Sequence, residues 1–392
     1  MKNDDVSVDE LIADVYEYLE DHPATPESKA ASTSGDAPAP QKRSAGKKIL
    51  TVVGTTLLIL LETVLLLAGA LYGVMYILAK GPSPTARNIF VLSVKETSAV
   101  GFLANLFYTD EEIAKFTVGD QAADYDETDT SLIQIPKPED KPDDNHNGPT
   151  ADAWGLIDED GDGIILKEVR GEGYSGYMMV VLDPSRVIMG SVPESYGSRG
   201  YTVEKFVKRY DAVAGINAGG FYDPDGKGNG SIPDTMVVYE GKVYYPEYGC
   251  GDGFAALDSK HILHVGTFTE EDVKKNDIQY GVGFGPVLVV NGEIANPGAL
   301  SSGVNPRTAI GQRSDGAILM LVVDGRQVTS LGATYMDLAE IMLNYGAVNA
   351  CNLDGGSSSM MWYNGEYVNN CASVIGIRPV PTCFLVLKEG QN

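Results

Sequence analysis

The sequence predicts an α+β domain with a mixed, mostly antiparallel sheet and packed helices, preceded by a single transmembrane helix. Three observations predict it. Short apolar runs between Tyr177 and Val386 are joined by turns such as Glu240-Gly241 and Asn291-Gly292, the turn chemistry of antiparallel hairpins. Two segments with apolar residues at helical spacing, Thr202 to Tyr210 and Thr334 to Tyr345, interrupt these runs without the regular strand-helix alternation of a parallel sheet. Ahead of all of them, Ile49 to Ala79 is almost unbroken apolar sequence, long enough to cross a bilayer core of roughly 30 Å.

Composition narrows the function. A chain of 392 residues, 43% of them hydrophobic, has room for one large domain with accessory segments. A net charge of -25, from 29 basic against 54 acidic residues, argues against a nucleic-acid partner, because phosphate neutralisation needs clustered Lys and Arg. The four cysteines, Cys250, Cys351, Cys371 and Cys383, include no C-x-x-C pair, so no metal is expected from them. In an exported domain they could pair as disulfides, but Cys351 sits in an apolar run and reads as a free buried thiol.

In chain order, residues 1–48 read as a cytoplasmic tail. Ser7 and Glu10 have capping-box spacing, and Leu11, Ile12, Val15, Tyr16 and Leu19 fall on one face of a short amphipathic helix. An Ala-, Pro- and Ser-rich linker follows. Residues 49–79 are the predicted membrane span, broken only by Glu62. Lys42, Arg43, Lys47 and Lys48 precede it, so the positive-inside rule puts the N-terminus in the cytoplasm and everything after residue 80 outside the cell membrane. A cleaved signal peptide with a small-residue site at Ala68-Gly69-Ala70 is the alternative. Residues 80–152 read as a stalk, with a short helix capped by Thr109 or Asp110, followed by an acidic, Pro-rich spacer.

The globular domain is expected over 153–392. Strands are predicted at Tyr177 to Leu182, Arg186 to Gly190 and Ala317 to Val323, and hairpins over Val237 to Tyr245 and Pro286 to Ile294. The Thr334 to Tyr345 helix has a Thr cap, Asp337 in its first turn and Gly346 as its stop.

Four short motifs carry the polar residues: AGINAGGFYD at 214–223, NPRTAIG at 305–311, VVDGRQ at 322–327 and NLDGGSSSM at 352–360. Each lies where an apolar run begins or ends, the place where a sheet presents side chains to a ligand. In the last, Asp354 is followed by Gly355 and Gly356, which let the backbone turn sharply and approach a ligand. The set supplies Asn217, Gly219, Arg307, Thr308, Asp324, Arg326, Asp354, Gly355, Gly356, Ser357 and Ser358, an inventory suited to binding a phosphate and activating a water. Each arginine has a structural salt bridge as its alternative, and Asp324 reads at least equally well as a β-turn residue.

Taken in order, with a DLAEIM helix between the third and fourth and a closing RPVPTCFLV strand, these motifs resemble the phosphodiester glycosidase family over about residues 155–388. The resemblance implies cleavage of the sugar C1–oxygen bond in a sugar-1-phosphodiester such as an N-acetylglucosamine-1-phosphodiester. Asp354, Arg307 and Asn217 are then the expected catalytic residues, with Thr308, Arg326, Asp324, Gly219, Gly355, Gly356, Ser357 and Ser358 binding substrate. A phosphate leaves readily, so cations that hold its charge matter more than a strong general acid, and Arg307 with Arg326 would do this. Ser357 stands where family members often carry a third glycine. The substrate expected for an extracytoplasmic enzyme of this kind is a cell-surface or exported polysaccharide. A non-catalytic glycan-binding or envelope-assembly protein of the same fold is the rival reading.

Two other chemistries are disfavoured. The GGSSS run lacks G-x-S-x-G, and of the four histidines only His261 and His264 lie in the globular domain. DEDGDG at 158–163 begins like a calcium loop, but its twelfth position is Val169 instead of Glu, which points to an acidic turn, with calcium held through another geometry as the alternative. No cofactor is certain from these residues; calcium is the one candidate, and the sequence leaves a metal requirement open. The sequence leaves the oligomeric state open.

Overall fold

The computed structural model describes residues 45–97, 100–116, 125–136, 151–223, 228–297, 300–373 and 376–391. The amphipathic segment at 7–21 and most of the linker and spacer lie outside the described residues. The chain divides into two units, Met1–Ala68 and Gly69–Asn392. What is described of the first is helix α1, Ala45–Lys80, which continues into the second. Its stretch Leu50–Lys80, 31 residues, is long and apolar enough to cross a membrane, and at 1.5 Å per residue it spans about 46 Å. Within it the hydroxyls of Thr55, Thr56 and Thr63 donate to carbonyls one turn back, which satisfies them without water.

The second unit holds three sheets whose named strands all pair antiparallel. The first contains β1 (Ile164–Gly171), β2 (Tyr174–Val181), β10 (Val287–Val290), β11 (Glu293–Ile294), β12 (Arg307–Arg313), β13 (Ile318–Val323) and β14 (Ala347–Leu353), in the order β1-β2-β13-β12-β14-β10-β11. The second contains β3 (Val187–Ser191), β4 (Ala214–Asn217), β15 (Met361–Tyr363), β16 (Glu366–Tyr367) and β17 (Thr382–Val386), in the order β16-β15-β4-β17-β3. The third contains β5 (Val237–Tyr239), β6 (Lys242–Tyr244), β7 (Phe254–Asp258), β8 (Leu263–Gly266) and β9 (Ile278–Gly283), in the order β6-β5-β9-β7-β8. This is the α+β, antiparallel architecture that the hairpin turns predict.

Both faces of the large sheet are covered, and the alternation along its strands shows how. Met179, Ile310, Met320, Val322 and Leu353 point into a core shared with Ile216 and Phe384 of the second sheet and Leu257 and Val282 of the third. Their neighbours Met178, Ala309, Leu319, Leu321 and Ala350 pack on the opposite face, where they meet Leu338 and Met342 of a helix over Tyr335–Asn344. A strand buried on both sides reads as a continuous apolar run, as β13 does. That helix has the predicted Thr334 cap with Asp337 closing a capping box, and Gly346 beyond it takes a φ of 85°. Both predicted hairpins form, with positive φ at Glu240 and Gly241 and at Asn291 and Gly292.

The segment expected as a stalk departs from that expectation in its described parts. Helix α2 (Pro84–Lys95), a 3-10 turn at Gly101–Leu106 and the short α3 (Asp110–Ala114) bury Val91, Leu92, Ala104 and Ile113 together. Helices of 12 and 5 residues are marginal alone, and here they lie against the domain. Ser93 Oγ accepts from Val304 N at 2.9 Å, and Ser301 Oγ donates to the Phe116 carbonyl at 3.3 Å. Part of the predicted spacer is docked as well: Gln134 N donates to the Ser314 carbonyl at 2.8 Å.

Candidate active site

The register of the large sheet brings two of the motifs together. Thr308 on β12 pairs with Leu353 on β14, so Arg307 and Asp354 leave adjacent strands at the same end. The first motif joins through the second sheet, where β4 ends in Asn217 and the next residue, Ala218, accepts a hydrogen bond from Asp354 N at 2.9 Å. Here the chain opens a cavity of about 690 Å³ lined by Arg307, Arg326, Asp354, Gly355, Gly356, Ser357 and Ser358 of the expected residues.

The glycines shape the turn that carries Asp354. A Cβ on Gly355 would come within 2.9 Å of the Pro306 carbonyl, and Gly356 adopts φ 59° with Arg326 Nη2 and Nη1 lying 3.3 and 3.4 Å from where its Cβ would be. Arg326 therefore lies beside the turn that presents the acid. It also holds a left-handed backbone, φ 57°, which is uncommon for a residue with a side chain.

Asp354 reaches the cavity but is half enclosed by protein, and burial pushes its pKa up to about 7. A hydrogen bond with Ser358 and the charge of Arg378 oppose this rise, while Asp234 and Asp223 add to it. Asp234, also on the cavity wall, is raised by desolvation. Asp223 is paired with Arg378 Nη2 at 2.7 Å, and Arg378 Nη1 donates to Ser357 Oγ at 3.0 Å. Across the cavity Arg307 is buried over the Tyr335 ring, 4.1 Å from its centre, and pairs with Glu96 Oε2 at 2.7 Å. Its Nε and Nη2 donors are already taken by Glu96, the Gly303 carbonyl and the Ala333 carbonyl.

Four expected residues do not line the cavity. Asn217 is fully buried; its amide donates to the Asp354 carbonyl at 2.6 Å, and its oxygen accepts from Thr308 Oγ1 at 2.9 Å and Met360 N at 3.0 Å. Asn217 and Thr308 thus brace the turn behind Asp354, since all of Thr308 and Asn217 is withdrawn from solvent. Gly219 is a packing position, its N–H donating to Thr382 Oγ1 at 3.0 Å and its Cβ position lying 3.0 Å from Val282. Asp324 clips a loop, accepting from Asn369 Nδ2 and Asn370 N at 3.0 Å each.

Sequence reasoning missed Arg378, Asp223, Asp234, Glu96, Thr97 and Tyr335, all on the cavity wall. Asp223 closes the first motif and Arg378 opens the closing RPVPTCFLV motif, so both stood at motif edges. Elsewhere, neither histidine of the domain lines the cavity; His264 is buried against Asp258 at 3.1 Å. The four cysteines are free thiols. Asp158, Asp160 and Asp162 place ligand atoms within 4.8 Å of one another, and the Asp158 carboxylate already accepts from Gly161 N and Gly163 N.

A carboxyl whose pKa burial raises, set in one cleft with guanidinium groups, is an arrangement suited to acid-base chemistry beside an anion. Residues 210–387 match the phosphodiester glycosidase family. An uncharacterised SPbeta prophage-derived protein of Bacillus subtilis is 28% identical over 186 residues, covering 44% of this chain and 28% of that protein. Human N-acetylglucosamine-1-phosphodiester alpha-N-acetylglucosaminidase is 27% identical over 224 residues, covering 51% of this chain and 42% of that enzyme. The chain thus spans less than half the length of these curated relatives. Among solved structures, the zebrafish catalytic domain of the latter, auto-inhibited by its pro-peptide, aligns at 20% identity with a TM-score of 0.48, over 57% of this chain and 82% of that one. A hypothetical protein from Synechocystis aligns at 16% identity and 0.41, over 57% and 61%.

Proposed function

We propose that the chain is a membrane-anchored hydrolase that cleaves the C1–oxygen bond of sugar-1-phosphodiesters, with its N-terminus in the cytoplasm and its catalytic domain outside the cell membrane. The observation that carries this reading is the placing of Asp354 and Arg326 at one glycine turn within one cavity. In the reaction, a water oxygen bonds to C1, directly or after a glycosyl-enzyme step. The C1–O bond breaks with its electron pair going to the phosphate oxygen, and a free sugar and a phosphomonoester leave. Asp354 supplies the carboxylate at the anomeric carbon and Arg326 holds the departing charge. The aromatic walls, Phe221, Phe284 and Tyr335, give the sugar ring apolar faces to lie against. The substrates that fit this placement are N-acetylglucosamine-1-phosphodiester-like linkages in cell-surface or exported polysaccharide.

The family match and the human relative support the reaction class; positive residues before the apolar helix support the orientation. The test is release of free sugar from a panel that includes UDP-N-acetylglucosamine and simple alkyl sugar-1-phosphodiesters. Release by the wild type that falls by about a hundredfold in Arg326→Ala is expected, from loss of a charge-assisted contact to the leaving group. No release from any member of the panel would sink the proposal.

A further inference from the structure

Two side chains of the cavity wall come from outside the family-matched region, in the segment that follows the apolar helix. Glu96 ends α2 and Thr97 follows it. Glu96 Oε1 accepts from Gly303 N at 2.8 Å, and Oε2 accepts from Asn305 Nδ2 at 2.9 Å and Arg307 Nη2 at 2.7 Å. With the Asn305 amide nitrogen held in this way, its oxygen faces the other side, where it accepts from Arg326 Nε at 3.3 Å and Nη2 at 3.0 Å. Thr97 Oγ1 takes a further bond from Arg326 Nη2 at 3.0 Å. Arg326 is therefore held in place by these bonds, with Nη2 and Nη1 lying 3.3 and 3.4 Å from the Cβ position of Gly356, in the turn that carries Asp354.

We infer that Glu96 and Thr97 are positioning residues of the active site, acting through Asn305 and Arg326 on the subsite for the departing phosphate. This rests on the reading of the cavity as a sugar-phosphodiester site. The docking that delivers them is keyed by shape: a Cβ on Gly303 would lie 2.1 Å from Ser93 N, so that contact requires glycine. It is keyed by charge as well. Glu96 is the one carboxylate paired with the buried Arg307 among the described residues, and removing it leaves a cation without its partner. The catalytic unit thus begins at the segment around α2, well before the start of the family match.

The test uses the full chain in detergent micelles and two readouts: steady-state hydrolysis of a sugar-1-phosphodiester, and binding of inorganic phosphate by calorimetry. A glutamine offers one acceptor oxygen to three donors, so Glu96→Gln is expected to raise KM and the phosphate Kd about tenfold with kcat within about threefold. Thr97→Val weakens both by about fivefold and Thr97→Ser restores them, a pattern that needs the hydroxyl and not the packing. In an Arg326→Ala background Glu96→Gln adds less than about twofold, since its route is already cut. A fall in KM or a rise in turnover in Glu96→Gln would overturn the inference by showing that the carboxylate competes with substrate. Unchanged constants, or a full additional loss in the Arg326→Ala background, would overturn it by showing a purely structural role. If Glu96→Gln fails to fold, the Thr97 pair decides. Failure of the wild type to hydrolyse any phosphodiester would count against the glycosidase reading alone, because the phosphate-binding pattern is measured without turnover.

Discussion

Replacing Asp354 by Asn is expected to make the protein more stable in a pH-dependent way. Its folded pKa of about 7 stands above the ordinary 3.8, with burial as the chief cause. The native state therefore holds the proton more tightly than the unfolded chain does between those values, and stability falls as pH rises through that window. Below it both states are protonated and the penalty vanishes; above pH 7 the penalty is complete. The full shift corresponds to an upper bound of about 4 kcal/mol. The carboxyl faces an open cavity where water relaxes part of the cost, so about 2 kcal/mol is the working figure. Asn keeps the volume and removes the charge. At pH 8 the variant should melt roughly 5 °C above wild type, and the gain should shrink steadily toward pH 5. Intrinsic fluorescence of Trp154 and Trp362 provides the assay. A variant that is less stable than wild type at pH 8, or equally stabilised at every pH, would refute the account of Asp354 as a buried, destabilised acid.

Two more expectations follow from the same site. If ionised Asp354 is the working form, kcat/KM climbs through a pKa of about 7; Arg378→Gln removes a charge that lowers that pKa and a partner of Asp223, so the limb moves upward. An unmoved limb would show that the titrating group lies elsewhere. Gly356→Ala, at φ 59° with Arg326 3.3 Å from the new methyl, should cost about 1–2 kcal/mol in urea unfolding and raise KM. A neutral substitution would mean that the turn relaxes freely.

The elements that local chemistry dictates were legible in the sequence. Thr334, Asp337 and Gly346 marked both ends of their helix, and Asn291-Gly292 marked its hairpin, because caps and primed turns depend on a few neighbouring residues. Asp354 and Arg326 could be placed in the site because each sits beside the glycines that let the backbone approach. Asn217 and Arg307 were singled out, but the protein groups that hold them were not legible. Their types suit a ligand, but only the three-dimensional structure shows that Asp354, Thr308 and Met360 claim the amide and that Glu96 claims the guanidinium. Glu96 itself gave no signal, since its neighbours in space, Gly303, Asn305 and Arg307, are remote in sequence. The docked α2 segment was read as a stalk for a related reason: the cover for its Phe90, Val91, Leu92 and Val94 comes from Ala104, Tyr108, Ile113 and Phe116, which the α2 sequence by itself does not announce.

The central claim is that a carboxylate works at the sugar carbon, with the phosphate as leaving group. It is tested most directly by hydrolysing a sugar-1-phosphodiester in water enriched in the heavy oxygen isotope and locating the label by mass spectrometry. Cleavage of the C1–O bond places the label in the free sugar and leaves the phosphomonoester unlabelled, with turnover abolished in Asp354→Asn. Label in the phosphate would show attack at phosphorus and contradict the account.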